Sequence, residues 1–302
     1  MSLWEVVLRQ LLNGLILGSF YALVSLGYSM VYGIIKLLNF AHGDIYMTGA
    51  FVCLSIFGIV SGSMPGWLGI ACSIFVAMFF VGILGYTVQR FAYRPLLGAP
   101  RLSLLITSIG VSLMIYNFAM VVTNSQPVFF TSGLDDTAGI QLGGFTITYI
   151  QIVLLVVSAV VMIGLTFFIG RTLMGKAMRA IALDQDTCRL MGINVNKMIG
   201  LTFVIGSALA AIAGGLACVY YGNVQYNMGF TIGIKAFTAA VIGGIGSIPG
   251  AMVGGFAIGL AEVLVTALGL STWADGVVFG ILILVLLVKP TGLMGRNIME
   301  KV

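Results

Sequence analysis

From Leu11 to Ile35 the chain carries no acidic or basic side chain. That run is longer than the ~20 apolar residues with which an α-helix crosses a ~30 Å hydrocarbon layer. Comparable runs recur along the sequence, and 8% of all residues are charged, where a soluble domain carries about a quarter. Lipid offers no partner for a backbone N–H or C=O, so a chain immersed in it must be helical or close into a barrel. Polar and apolar residues scarcely alternate at the period of two that barrel strands need. These constraints describe an all-α polytopic membrane protein.

The apolar segments are about eight in number, at 10–35, 42–60, 67–89, 102–123, 150–170, 198–221, 236–268 and 276–288, the seventh interrupted. The first is too long for a signal-peptide core and lacks an A-x-A-like cleavage site, so it is expected to persist as a helix. Cys53, Cys72, Cys188 and Cys218 stand apart, with no C-x-x-C pair and no neighbouring histidine, which points away from disulfides and metal clusters. No metal or other cofactor is expected.

Loop charges set the orientation. Residues 90–101 hold Arg90, Arg94 and Arg101 without an acid, and 171–197 hold Arg171, Lys176, Arg179, Arg189 and Lys197 against Asp184 and Asp186. Both read as cytoplasmic, because basic loops stay inside. The stretch 124–149 has Asp135 and Asp136 but no Lys or Arg, and 222–234 is uncharged, so both face the other side. The formal charge of +5 is then a property of loops beside membrane spans, with no nucleic-acid partner implied.

The tail beyond Leu287 carries Lys289, Arg296 and Lys301 against Glu300 and again reads as cytoplasmic. An odd number of crossings must therefore separate residue 234 from residue 289, although only two apolar regions are available. The irregular one is "AAVIGGIGSIPGAMVGG", where Gly243, Gly244, Gly246, Pro249 and Gly250 break a helix. We read a half-helix, a turn in mid-membrane and a longer returning helix. Such backbone is tolerated only when buried in protein or lining a wet cavity. Gly246, Gly250 and Gly254, four residues apart, also suit close helix packing.

A second irregular stretch, "LLNFAHGDIYMTGAF" (37–51), places Asn39, the single histidine His42, Gly43 and Asp44 between two apolar runs. Paired interrupted helices in two halves of a chain, inverted in some folds, mark the midplane site of many transporters. The plainer alternative is an interfacial loop in which Asn39 caps the next helix. His42 can shuttle protons or simply hydrogen-bond, and Asp44 suits a helix's first turn, where free N–H groups stabilise an acid. Glu262 lies inside an apolar run at a cost of ~2.5–3.5 kcal/mol if central. That favours a place in the bundle interior near the path over a hydrated interface.

"GRTLMGKA" (170–177) nearly matches a phosphate-binding loop, but Ala177 replaces the hydroxyl and a membrane helix precedes it. If the cycle uses ATP, another subunit hydrolyses it. Within the same loop Met178, Ile181, Ala182 and Gln185 form the less charged face of a short helix, and a second turn starting near Asp186 ends at Gly192. Such a helix can lie on lipid or dock in a partner's groove.

Taken together, "NGLILGSFYALVSLGYSMVYGI", "NFAHGDIYMTGA", "GKAMRAIALDQDTCRLMGIN", "KAFTAAVIGGIGSIPGAMVGG" and "LLVKPTGLMGR" resemble one family. It is that of the permease subunits of bacterial ATP-binding-cassette importers for branched-chain amino acids, specifically the first of the paired permeases. The resemblance implies a single transmembrane permease domain over 1–302, in the cytoplasmic (inner) membrane, with a cytoplasmic coupling loop at 171–197. It implies as partners a second homologous permease, two ATPase subunits and a periplasmic or lipid-anchored binding protein, around an amino-acid substrate and membrane lipid. It also implies that Gly175, Arg179, Ala180, Asp184, Leu190, Gly192 and Ile193 couple to an ATPase groove. The chain has Thr187 and Cys188 where the family's motif is richer in alanine.

The expected function is translocation of leucine, isoleucine and valine, with no enzymatic activity of its own. The path residues are Asn39, His42, Gly43, Asp44, Gly243, Gly244, Gly246 and Glu262. Relatives in the family import urea or short amides. A stand-alone channel or ion-coupled carrier is the alternative from another class, whereas one histidine and no metal cluster argue against an intramembrane enzyme. Single cysteines placed at Asp135 and Asn227 are expected to react with membrane-impermeant thiol reagents outside sealed cells, while Cys188 is protected. Labelling of Cys188 from outside would reverse the orientation.

Overall fold

The computed structural model describes residues 3–134, 138–142 and 145–295. Asp135 and Asp136 of the acidic loop, and Arg296, Glu300 and Lys301 of the tail, lie outside the described residues. Among the described residues eight helices are long and apolar enough to cross a membrane. The chain is a multi-pass, all-α membrane protein.

Two helices form its centre, α1 (Leu3–Ile35) and α8 (Val195–Tyr221), both mostly buried. Against α1 pack α9 (Met228–Gly243) and α10 (Ile248–Ala267), and against α8 pack α2 (His42–Val60) and α3 (Gly66–Val88). Three helices lie outside this core and leave most of their surface exposed: α4 (Arg101–Val122), α5 (Tyr149–Arg171) and α11 (Ala274–Val288). Side chains close the helix starts locally. Thr148 and Gln151 form a reciprocal capping box on α5, Asn194 caps α8 and Ser247 caps α10.

The contact between α1 and α10 is made by backbone. A Cβ on Gly255 would overlap the Ala22 backbone, one on Gly259 would overlap Gly18, and one on Gly14 would meet Leu260. Small residues are the usual device where lipid gives helices no hydrophobic reason to associate. Gly250 and Gly254, two of the glycines spaced for packing, close the α9–α10 hairpin against Gly243 and Ala239, and the third, Gly246, faces Gly33 of α1.

That last contact corrects the reading of the glycine-rich break. Residues 244–247 turn level with the last turn of α1, where the Gln185 side chain donates to the Ile34 carbonyl at 3.4 Å. The backbone N–H groups of Leu293 and Met294 bond to the carbonyls of Ile242 and Gly243. The break therefore sits at the end of the bundle that carries Lys36, Arg90, Arg179 and Lys289, not in mid-membrane. Its span also starts at Met228 and not at 236, because Lys235 is neutralised inside α9. With 16 residues, α9 is about 24 Å long at 1.5 Å per residue. Counted with α10 and α11 it supplies the odd number of crossings that the charges demand.

At the opposite end two small antiparallel pairs form where the sequence reads as loop. They are β1 (Val128–Phe129) with β4 (Asn223–Val224), and β2 (Gly139–Leu142) with β3 (Phe145–Thr148). Cys188 proves to be buried, so its protection from thiol reagents would not report sidedness; a cysteine at exposed Leu190 is the proper probe of that loop.

Gly255→Ala is expected to lower the thermal midpoint of the purified protein by an amount equivalent to about 1–3 kcal/mol of overpacking. Gly164→Ala, in α5 with open space around it, is expected to lower it not at all. Equal midpoints for the two variants would mean that the α1–α10 backbone contact is not needed.

Candidate functional site

The stretch from Lys36 to Asp44 turns back into the bundle. Lys36 ends α1 in the left-handed region, at φ 55°, and residues 37–41 return between the helices so that α2 starts in the interior. Its first turn lies against Gly27 of α1 and Gly229 and Gly233 of α9. Gly27 in turn faces Gly206 of α8, about 16 Å along that helix from Val195. An interfacial connector would not reach that depth.

Asn39 is held on the way in. Its Oδ1 accepts from the Tyr93 hydroxyl at 2.8 Å, and its carbonyl accepts from the His42 N–H. Tyr93 ends a π-helical turn, Gln89–Tyr93, that continues α3 and re-aims its side chain inward. The cap position of α2 is Ala41, with no side-chain bond, so Asn39 does not cap that helix through its side chain. His42 is buried, with Tyr28 edge-on at 4.8 Å and a ring nitrogen on the Val24 carbonyl. Its ring fills the space that a Cβ on Gly27 would need. Gly43 meets the Gly229 carbonyl and Gly233 Cα so closely that any side chain would collide.

Asp44, one residue on, faces a cavity of about 720 Å³ bounded by the start of α2, α4, α9 and α11. Its Oδ2 accepts from the Ser112 hydroxyl of α4 at 2.5 Å. Its Oδ1 is buried and has no protein hydrogen-bond partner. Tyr28, Tyr116, Asn227 and Thr238 add polar groups, and Phe40, Ile109, Leu113, Phe230 and Phe237 give the cavity a mainly apolar wall. Of the residues named from sequence for the path, Asp44 lines this space. Asn39, His42 and Gly43 lie behind it, and Gly243, Gly244 and Gly246 lie at the basic end. Glu262 borders a separate cavity of about 300 Å³ with Tyr21, Tyr221 and Gln225. Ser112, Tyr116 and Phe237 carried no local signal, because each sits in an ordinary apolar helix and meets the others only through packing.

The basic loop is two short helices, α6 (Leu173–Leu183) and α7 (Gln185–Leu190). Thr172 caps the first, and Gly175 lets it turn tightly on the end of α5, where a Cβ would strike the Ile169 and Phe168 carbonyls. The near-match to a phosphate loop is thus a helix–helix corner. Met178 and Ile181 are buried, Ala182 and Gln185 half-buried, which is the face expected from their spacing. Asp184 caps α7, and the Thr187 hydroxyl and N–H, with the Asp186 N–H, hold its carboxyl below the ordinary range. It stays charged throughout the neutral range. Gly192 ends the motif at φ 79°, a conformation that favours glycine. Arg179 and Leu190 are exposed, and Ala180 and Ile193 half-buried.

Comparison with known proteins gives the family. Residues 10–287 match the family described as branched-chain amino acid transport system, permease component. The chain belongs to this family. It is 46% identical over 304 residues to the high-affinity branched-chain amino acid transport system permease protein BraD of Pseudomonas aeruginosa, covering 98% of each chain. It is 44% identical to the corresponding LivH proteins of Escherichia coli K12 and Salmonella typhimurium, covering 98% of this chain and 97% of theirs. As a permease component it works with other components of a transport system.

One group in the permease was passed over in the sequence. Lys235, buried in α9, pairs with Glu262 of α10 and Asp275 of α11 at 2.7 Å each, and Glu262 also accepts from the Tyr21 hydroxyl of α1 at 2.7 Å. Glu262 thus faces the bundle interior, and its cost is met by a counter-ion. Asp275 is 61% exposed, so that pair adds little; the Glu262 pair is the stronger. A lone lysine in one apolar helix followed by single acids in the next two was the available clue. Lys235→Met is expected to destabilise the protein by about 3 kcal/mol, with part recovered when Glu262→Gln and Asp275→Asn are added. Thermal unfolding in detergent measures this, and an unchanged midpoint for Lys235→Met would show that the acids need no counter-ion.

Proposed function

We propose that this chain is the translocating subunit of an ATP-driven importer of leucine, isoleucine and valine in the bacterial cytoplasmic membrane. Residues 1–302 act as one membrane domain beside a second homologous permease. Two ATPase subunits bind at the basic end, and a periplasmic or lipid-anchored binding protein delivers substrate at the other. The relatives' transport of branched-chain amino acids supports the substrate, and the mainly apolar cavity suits it better than urea or a short amide.

The observation that carries the reading is the surface of α6 and α7. Leu183, Leu190 and Met191 are 82%, 88% and 78% exposed on a loop that also carries Arg179, Arg189 and Lys197. Apolar side chains standing outside the apolar band, on a helix whose other face is locked onto the bundle by Met178 and Ile181, mark a protein contact. A stand-alone carrier has no use for such a surface.

Leu190→Glu is expected to leave the permease inserted and to reduce both capture of the ATPases and substrate-stimulated hydrolysis at least tenfold. Arg179→Glu should weaken the same contact through charge. Gly192→Leu is a poorer probe, since its backbone is left-handed and a leucine there adds strain. Normal stimulated hydrolysis in Leu190→Glu and Arg179→Glu complexes would remove the loop from coupling, and leucine uptake by the reconstituted chain alone would favour the carrier.

A further inference from the structure

The 720 Å³ cavity falls in the size range of small-molecule sites, and like them it is mostly apolar with a few convergent polar groups. Its charged group is Asp44, whose side chain is unusual in two respects. The residue is 3% exposed, yet Oδ1 has no protein partner, a costly state for a buried acceptor. It also lies directly against the first turn of α9, where a Cβ on Gly229 would stand 2.9 Å from Oδ1. Gly229, Phe230 and Thr231 of that turn line the cavity, and the cap residue Asn227 makes no side-chain bond to it. The start of a helix presents free N–H groups and the positive end of its dipole.

An acceptor for a cation and donors for an anion thus adjoin one another across one residue's width. A compact zwitterion has that pattern, with ammonium and carboxylate on a single carbon. We propose that the cavity is a way station for an α-amino acid, in which Asp44 Oδ1 takes the ammonium group and the first turn of α9 takes the carboxylate, while Phe40, Leu113 and Phe237 cover an aliphatic side chain. Ser112 positions Asp44 by donating to Oδ2. Thr238, fully buried with an unpartnered hydroxyl in the same wall, is a further polar contact. The proposal rests on the importer reading and adds to it that the permease itself recognises the α-amino-acid group.

The test uses the purified complex with its ATPases and second permease, in lipid nanodiscs and without binding protein. Radiolabelled L-leucine is the probe, and L-leucinamide, which lacks the carboxylate, and 4-methylpentanoate, which lacks the ammonium, are the competitors. Leucine is expected to compete at least tenfold better than either. Asp44→Asn is expected to lose at least tenfold in leucine affinity while competition by 4-methylpentanoate is not weakened, a split that general misfolding would not produce. Should the Asn variant fail to assemble, Phe237→Ala decides, with an expected drop of at least threefold in the preference for leucine over alanine. Equal competition by all three compounds, wild-type affinity in an assembled Asp44→Asn complex, or an unchanged preference in Phe237→Ala would overturn the site. Leucine uptake by the wild-type complex with its binding protein separates the two readings: uptake alongside any of those results removes the site alone, and its absence removes the importer reading itself.

Discussion

The architecture depends on helices touching backbone to backbone. In water a helix pair is held by the apolar surface it hides, but lipid tails are as apolar as leucine, so that force is missing. Here α1 meets α10 through Gly14, Gly18, Gly255 and Gly259, and the first turn of α2 meets α1 and α9 through Gly27, Gly43, Gly229 and Gly233. At most of these points the contact surface is main chain, while Gly27 makes room for the His42 ring and Gly14 for Leu260, and dispersion over the close fit supplies the attraction. With α1 held in this way, α2 can begin inside the bundle, because the polar start of a helix is tolerated there only when protein surrounds it.

From that buried start follows the chemistry of the centre. Asn39 Oδ1 accepts from Tyr93 and one His42 ring nitrogen meets the Val24 carbonyl, which secures the return of the chain, although Asn39 Nδ2 and His42 Nε2 are buried without a protein partner. Asp44 alone of that group turns toward the cavity. The second charged group, Lys235 with Glu262 and Asp275, binds α9 to α10 and α11, and α6 and α7 stand at the basic end. The cavity acid, the ion network and the exposed apolar loop are thus three separate features of one bundle. Because α9 borders the cavity and carries Lys235, it joins the first two, and its end is held by Leu293 and Met294.

Helix type, approximate span positions and the basic end were legible in the sequence, since each follows from runs of residues whose transfer energies act locally. So was the face of α6, whose buried Met178 and Ile181 repeat at helical spacing. Legibility failed where a residue's environment is made by distant segments. Lys235 reads as a helix boundary until Glu262 and Asp275 stand beside it. The break at 244–247 reads as mid-membrane until Gly33 and Gly292–Gly295 show its level. Asn39 reads as a cap until a π-helical turn delivers Tyr93.

By itself the sequence determined that this chain lives in lipid, that it crosses by helices, that its basic loops share one side and that its glycines mark close contacts. These are properties of composition and period, and the solvent enforces them segment by segment. Only the tertiary structure decided which polar residues meet. Asp44, Ser112 and the first turn of α9 come from segments 68 and 185 residues away from the acid in the chain, counted from Asp44 to Ser112 and to Gly229. Nothing in the local pattern of any of the three encodes the others, because the pairing of helices is set by backbone fit between surfaces that the sequence presents separately.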